Sequence, residues 1–216
     1  MSELEDTSHE AISATAPCWK RSQSLDLVHQ LNEHCLELLA GVAAADAGSD
    51  SPLVSANRDL WAQLGPEARK RAALLPFVIL DLNFADETWW RQAIDAPAST
   101  LHEPDSTNWL PSDLCERLVQ ETLMFAWQMA RSDRTAAQVS FGMRTTVAVI
   151  IGELMPGQVR AIASRASGDI HVRWEQDGRF WREILLAAEA GNDEAIAELH
   201  LHAKLQLLGR LVYPHQ

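Results

Sequence analysis

Two stretches of this chain spell the same local pattern, and that repetition limits the folds open to it more than any other feature. Leu154 to Leu185 reads LMPGQVRAIASRASGDIHVRWEQDGRFWREIL, and Leu64 to Ile94 reads LGPEARKRAALLPFVILDLNFADETWWRQAI. At an offset of 90 residues, Leu64 falls on Leu154 and Pro66 on Pro156, while Leu80, Leu82 and Phe84 fall on Ile170, Val172 and Trp174. One extra residue then brings Asp86 onto Asp177, Trp90 onto Trp181 and Arg91 onto Arg182. In each stretch an alternating run, the mark of a half-buried strand, precedes an Asp that can cap the next helix. Tryptophan occupies only eight of 216 positions, so two Asp-x-x-aromatic-Trp-Arg runs in matching context point to an internal duplication.

Between the two stretches, residues 95–111 (DAPASTLHEPDSTNWLP) hold three prolines among small polar residues and read as a linker. The expected organisation is an acidic, disordered tail over 1–22, an N-terminal unit over 23–94, the linker, and a C-terminal unit over 112–216. Cys18-Trp19 interrupts the tail, either as a docking anchor or as a loosely packed aromatic. Ser24 is placed to cap a first helix, along which Leu25, Val28, Leu31, Cys35, Leu38, Leu39 and Val42 recur at three- and four-residue steps. A second helix is expected around Leu53 to Gln63, Pro66 starts a third, and Phe77 to Phe84 reads as a strand.

In the second unit, Leu114, Leu118, Thr122, Phe125 and Met129 set a helical period, and a short helix ends at Gly142. Met143 to Leu154 is a strand by its Thr, Val and Ile content, or a buried helix by its length. Asn192 caps a last helix with Ile196, Leu199, Ala203, Leu207 and Leu211 on one face. The fold class is therefore mostly α, with one short strand per half. A lone short strand leaves backbone groups unpaired, so the two strands pair either with each other about a pseudo-twofold axis or with another chain.

The net charge of −12 argues against wholesale binding to nucleic acid or an anionic membrane. No apolar run reaches the length of a membrane span, and MSELEDTSHE lacks the form of a signal peptide, so a cytoplasmic location is expected. Cys18, Cys35 and Cys115 stand far apart, as free thiols in a reducing compartment would.

Chemistry-bearing motifs are sparse. No G-x-S-x-G, Walker loop or G-x-G-x-x-G occurs, and neither an enzyme nor a cofactor is expected. Glu198 and His202 share a helical face at i, i+4 as metal ligands would, but His200 does not, and ordinary helix positions explain all three. The paired aromatics Trp89-Trp90 and Phe180-Trp181 read as core anchors or as rings at a subunit interface. From Arg131 to Arg182 there are eight arginines against five acids, in an otherwise acidic chain. Arg144, Arg160 and Arg165, with Arg173 on the polar face of the strand, are candidates for contact with phosphate or a partner. The competing reading is a solvated face paired with the acidic half.

The order of motifs in the second half resembles FlhD, the helical subunit of the bacterial flagellar master transcription regulator. The residues that carry the resemblance are Ala136-Ala137-Gln138-Val139-Ser140-Phe141-Gly142, then Leu154-Met155-Pro156-Gly157-Gln158-Val159, then His171-Val172-Arg173-Trp174 and the helix beyond. The likeness spans roughly 112–212, and 22–94 would be a second, diverged copy. It implies a mostly α, dimeric fold, with Met143 to Leu154 helical. It also implies control of flagellar genes, as an activator, in complex with a zinc-binding FlhC-like subunit, DNA being contacted only in that complex. Ile170 to Trp174 (Ile170, His171, Val172, Arg173, Trp174) would form the strand edge where units assemble. Ile170 stands where the family often has a cysteine, so an equivalent intersubunit disulfide is not available. One chain with two units would act as an intramolecular pseudo-dimer or self-associate; the rival is an interaction adaptor without DNA binding.

Overall fold

The computed structural model describes residues 18–45, 51–95 and 110–212. The tail expected over 1–22 lies mostly outside the described residues, as does 96–109 of the linker. The first helix, α1 (Cys18–Ala44), starts six residues before Ser24, so Ser24 is not its cap. Most of its apolar steps are covered: Val28, Leu31, Cys35 and Leu39 are buried, joined by Leu36, and Leu38 and Val42 are partly buried, whereas Leu25 is exposed.

The second expected helix is two, α2 (Pro52–Ala56) and α3 (Arg58–Gln63), broken at Asn57. Pro66 opens α4 (Pro66–Ala72), where its missing N–H costs nothing. After β1 (Leu80–Asp81), Asp86 caps α5 (Glu87–Asp95) by accepting from the Trp89 N–H at 3.0 Å. In the second half, α6 (Ser112–Ser132) is followed by α7 (Arg134–Phe141), capped by Asp133 and closed by Gly142 in the left-handed conformation. Met143 to Leu154 forms a helix, α8 (Thr145–Glu153), with Val147, Ala148 and Ile151 buried. Pro156 starts α9 (Pro156–Arg165), and a short 3-10 turn leads to β2 (His171–Val172). Asp177 caps α10 (Gly178–Glu189) through the Phe180 N–H, and Asn192 caps α11 (Asp193–Val212) through the Ala195 N–H.

The strands are shorter than the alternation predicts. Phe77, Val78, Ile79 and Leu80 are all buried, because this segment runs between two partners and has no solvent face. On one side β1 pairs antiparallel with β2, Leu80 opposite Val172 and Asp81 opposite His171, and the Arg173 N–H donates to Ile79 O at 2.7 Å. On the other side the Val78 N–H donates to Ser140 O at 2.7 Å, and Phe84 O accepts from the Arg144 N–H at 3.3 Å. Asn32 of α1, fully buried, completes the accounting. Its amide donates to Phe77 O at 2.9 Å and Ala73 O at 3.3 Å, and its carbonyl accepts from the Ile79 N–H at 2.9 Å.

The helices pack in a crossed arrangement. The long helix α1 lies against α2, α3 and α4, and α6 against α7, α8 and α9. Beyond the strands the order reverses: α5 packs on α8 and α9, and α10 packs on α2, α3 and α4. Buried side chains from both halves form one apolar cluster. Trp181 meets Trp61 of α3 at 5.6 Å between ring centres, and Trp90 stacks on Phe84, which meets Phe141 of α7 at 5.2 Å. Among the described residues no single helix is long and apolar enough to cross a membrane.

Candidate functional site: the central seam

The seam is built around Asp81, His171 and Arg173. Arg173 follows β2 immediately, and its side chain is 6% exposed. Its Nε donates to Val78 O at 3.0 Å, and its Nη2 donates to Phe141 O at 2.6 Å and to Asp81 Oδ1 at 3.2 Å. Asp81 also accepts from the Phe84 N–H at 3.3 Å. His171 lies 3.9 Å from Asp81 Oδ2 through Nε2, and its Nδ1 is 3.0 Å from Asp169 O. One guanidinium thus ties the end of α7, the 77–84 segment and β2 together. This corrects the expectation that Arg173 lies on a polar strand face open to phosphate.

The cause is a local change of phase. Asn83 has φ of 50° and Trp174 has φ of 55°, and each stands three residues before its capping Asp, Asp86 or Asp177. The extra residue of the second stretch is therefore Arg173, and Trp174 corresponds to Asn83 rather than to Phe84. The left-handed residue ends the strand alternation. Trp174 leaves the line of Ile170 and Val172 and meets Phe77 at 5.6 Å and Phe180 at 5.1 Å. Its Nε1 is buried without a hydrogen-bond partner. Ile170 and Val172 are buried, and His171 is half-exposed.

The two buried tryptophans hold the turns on either side. Trp90 Nε1 donates to Asn83 O at 3.1 Å, and Trp181 Nε1 donates to Arg173 O at 3.2 Å. Each indole therefore locks the carbonyl of the turn that precedes its own helix, and both rings are core anchors. Trp89 is partly buried against Trp90 at 5.0 Å.

The other candidate arginines do not converge. Arg165 Nη2 donates to Ala93 O in the last turn of α5 at 2.7 Å. Arg144 precedes α8 and adds its charge to the field of Glu87; the Arg91 guanidinium first, then the Thr146 hydroxyl, hold that carboxyl below the usual range. Arg160 is exposed on α9. Elsewhere in the cluster, Arg131 stacks over Trp127 at 4.9 Å and Arg179 pairs with Glu183 at 2.9 Å. Of this cluster, Arg165 and Arg173 tie separate elements together, whereas Arg131 and Arg179 contact residues of their own helices.

On α11 the three metal candidates separate. His200 turns inward, and burial, then the nearby His29, lower its pKa to about 4. Glu198 and His202 line an outer groove, with His202 Nε2 2.9 Å from Gln206 Nε2. Among the described residues no three His, Cys, Asp or Glu side chains gather in a group that could hold a metal ion. Cys35 and Cys115 are buried free thiols; burial raises both, Cys115 to about 11.

Sequence reasoning missed Asn32 and the inward turn of Arg173. Asn32 carried a signal, since it shares the helical face of Val28, Leu31 and Cys35, all buried. Comparison with known proteins finds no matching family model, no matching curated protein and no matching solved structure.

Proposed function

We propose that this chain is a single-chain counterpart of a two-subunit, FlhD-like helical assembly, and that it acts by binding a protein partner as a regulator or co-regulator of transcription. The observation that carries the two-unit reading is the strand register. A twofold axis through an antiparallel pair places one residue opposite its own equivalent. The sequence offset of 90 makes Asp81 and His171 equivalent, and these two face each other. The crossing of α5 and α10 onto opposite halves supports it too, as do the matched caps and left-handed residues, and in each half the indole bonds a carbonyl of the preceding turn, though one residue apart in the alignment. The regulatory part rests on the resemblance of motif order across 112–212. DNA contact then comes with an FlhC-like subunit, since two of the four candidate arginines, Arg165 and Arg173, are bonded to groups within the chain.

An electrophoretic shift assay on flagellar-type promoters, with and without an FlhC-like subunit, tests this reading. The expected result is a supershift only when both proteins are present; none at any salt concentration would sink it. Sedimentation should give a monomer near the chain mass of 24.0 kDa if the two halves satisfy each other. A second reading, an interaction adaptor without a DNA role, is favoured by the inward use of Arg165 and Arg173 and the net charge of −12. Pull-down from the native cell that recovers only non-regulatory proteins would select it.

A further inference from the structure

Helix α11 buries Ile196, Ala203 and Leu207 in the core and, with α10, also makes an outward surface. Between α10 and α11 runs an open groove of about 720 Å³. Its floor is apolar: Phe180 and Leu186 from α10, Leu199 from α11. Leu186 is 46% exposed, an unusual position for a leucine on a helix whose other apolar residues are buried. The α11 wall runs Ala195, Glu198, His202 at three- and four-residue steps, and Leu205, 61% exposed, continues it by one turn.

The rim is acidic. Asp177, Glu183 and Glu198 all border the groove. Arg179 is also there, but it is tied to Glu183 at 2.9 Å, which leaves the balance negative. An apolar floor between two helices, with charge along its edges, is the form in which a third helix is received. Charge decides which helix. A second copy of this surface would bring the same carboxylates, on a chain of net charge −12, so self-pairing is repelled.

We infer that the α10–α11 groove receives an amphipathic helix from another protein, with a Leu, Met or Phe row for the floor and Lys or Arg along its flanks to meet Asp177 and Glu198. This deepens the partner-binding reading and rests on it for the existence of a partner. The promoter assay tests that reading, whereas the following experiment tests the groove without DNA.

The probe is a fluorescein-labelled 18-residue peptide with leucine at i, i+3, i+4 and i+7 steps and lysine on the flanks, added to the full chain. Two control peptides accompany it: one with the same composition in an order that breaks the helical period, and one with glutamate in place of lysine. Anisotropy should show the Leu/Lys helix binding at least about tenfold more tightly than either control, a gap of ~1.4 kcal/mol. Leu186→Glu and Glu198→Lys should each weaken it by about tenfold or more. Both side chains are exposed, so circular dichroism and melting should match wild type. Met155→Glu, at the exposed apolar residue immediately before α9, should leave binding unchanged. Amide NMR shifts should map to α10 and α11. Equal binding of the scrambled peptide, indifference to Leu186→Glu, or shifts centred elsewhere would overturn the assignment. So would a wild-type dimer that Leu186→Glu dissociates, because the occupant would then be a second copy.

Discussion

Replacing Arg173 with methionine separates a structural arginine from a contact arginine. Methionine keeps most of the side-chain volume, so the cavity contribution is small. What is lost is the guanidinium, which donates to Val78 O at 3.0 Å, Phe141 O at 2.6 Å and Asp81 Oδ1 at 3.2 Å. Val78 O and Phe141 O would be left without this donor in the core, at ~1–2 kcal/mol each. Asp81 is 19% exposed on its side chain, so water recovers part of its loss. The total comes to about 3–4 kcal/mol, within the range for breaking a buried charged pair from one side. Urea unfolding at pH 7, followed by tryptophan fluorescence, should show that drop in midpoint with an unchanged slope. Asp81→Asn should cost less, ~1–3 kcal/mol, because Arg173 keeps its two carbonyls but its 6%-exposed guanidinium loses its counter-charge. The double variant should cost less than the sum, as expected for residues in direct contact. An Arg173→Met protein within about 0.5 kcal/mol of wild type would refute the reasoning. The same variant with wild-type stability but a lost promoter shift would return Arg173 to the contact role.

Trp90→Ala and Trp181→Ala should each destabilise by roughly 3–5 kcal/mol, since both rings are fully buried; a melting curve equal to wild type for either would contradict the core assignment. Gly142→Ala should cost about 1–2 kcal/mol in urea unfolding, because φ is +61° and the added Cβ would lie 2.6 Å from Leu207 Cδ1, a flexible tip that can yield. His200, with its pKa lowered to about 4, binds a proton more readily in the unfolded chain, so its stability contribution is complete above about pH 6.5 and is lost as pH falls towards 4. That loss is roughly 1–3 kcal/mol after allowing for partial exposure, and His200→Gln should flatten the stability–pH curve over this window. Cys35 and Cys115 should resist thiol reagents at pH 8 until urea is added, as read by peptide mass spectrometry.

Much of the fold was written locally. Asp86, Asp177 and Asn192 cap the helices they precede, and Pro66 and Pro156 stand at first helical positions. These signals depend on two or three neighbouring residues, so a sequence displays them. The misreadings arose where distant chain decides. Phe77 to Leu80 are all buried, and the alternation runs only from Leu80 to Phe84; β2 lies along one edge of the segment and the α7–α8 turn along the other, and the paired strand is Leu80–Asp81. Arg173 looked solvated because alternation was carried one residue too far. The positive φ of Trp174 ends that phase, and no nearby glycine announces it. The arginine excess suggested a binding face because composition does not say which guanidiniums reach carbonyls such as Ala93 O, 72 residues away in sequence.

On the proposed two-unit reading, the seam also gives a physical reason for two units to share one chain. In a homodimer, the residue on the twofold axis must face its own copy. Two units bearing Asp81 would set carboxylate opposite carboxylate, which is destabilising across a strand pair. With the units in one chain, the equivalent positions are free to differ, and Asp81 faces His171 with Nε2 3.9 Å from Oδ2. The same freedom admits Arg173 on one side only, where a single guanidinium serves Asp81 and two carbonyls. A symmetric pair would bring two such arginines to the axis and repel. The groove between α10 and α11 adds an outward face to this arrangement. On this reading, duplication within the chain exchanges a symmetric interface for one complementary seam and one outward face, which suits a protein that holds itself together and recruits a single partner.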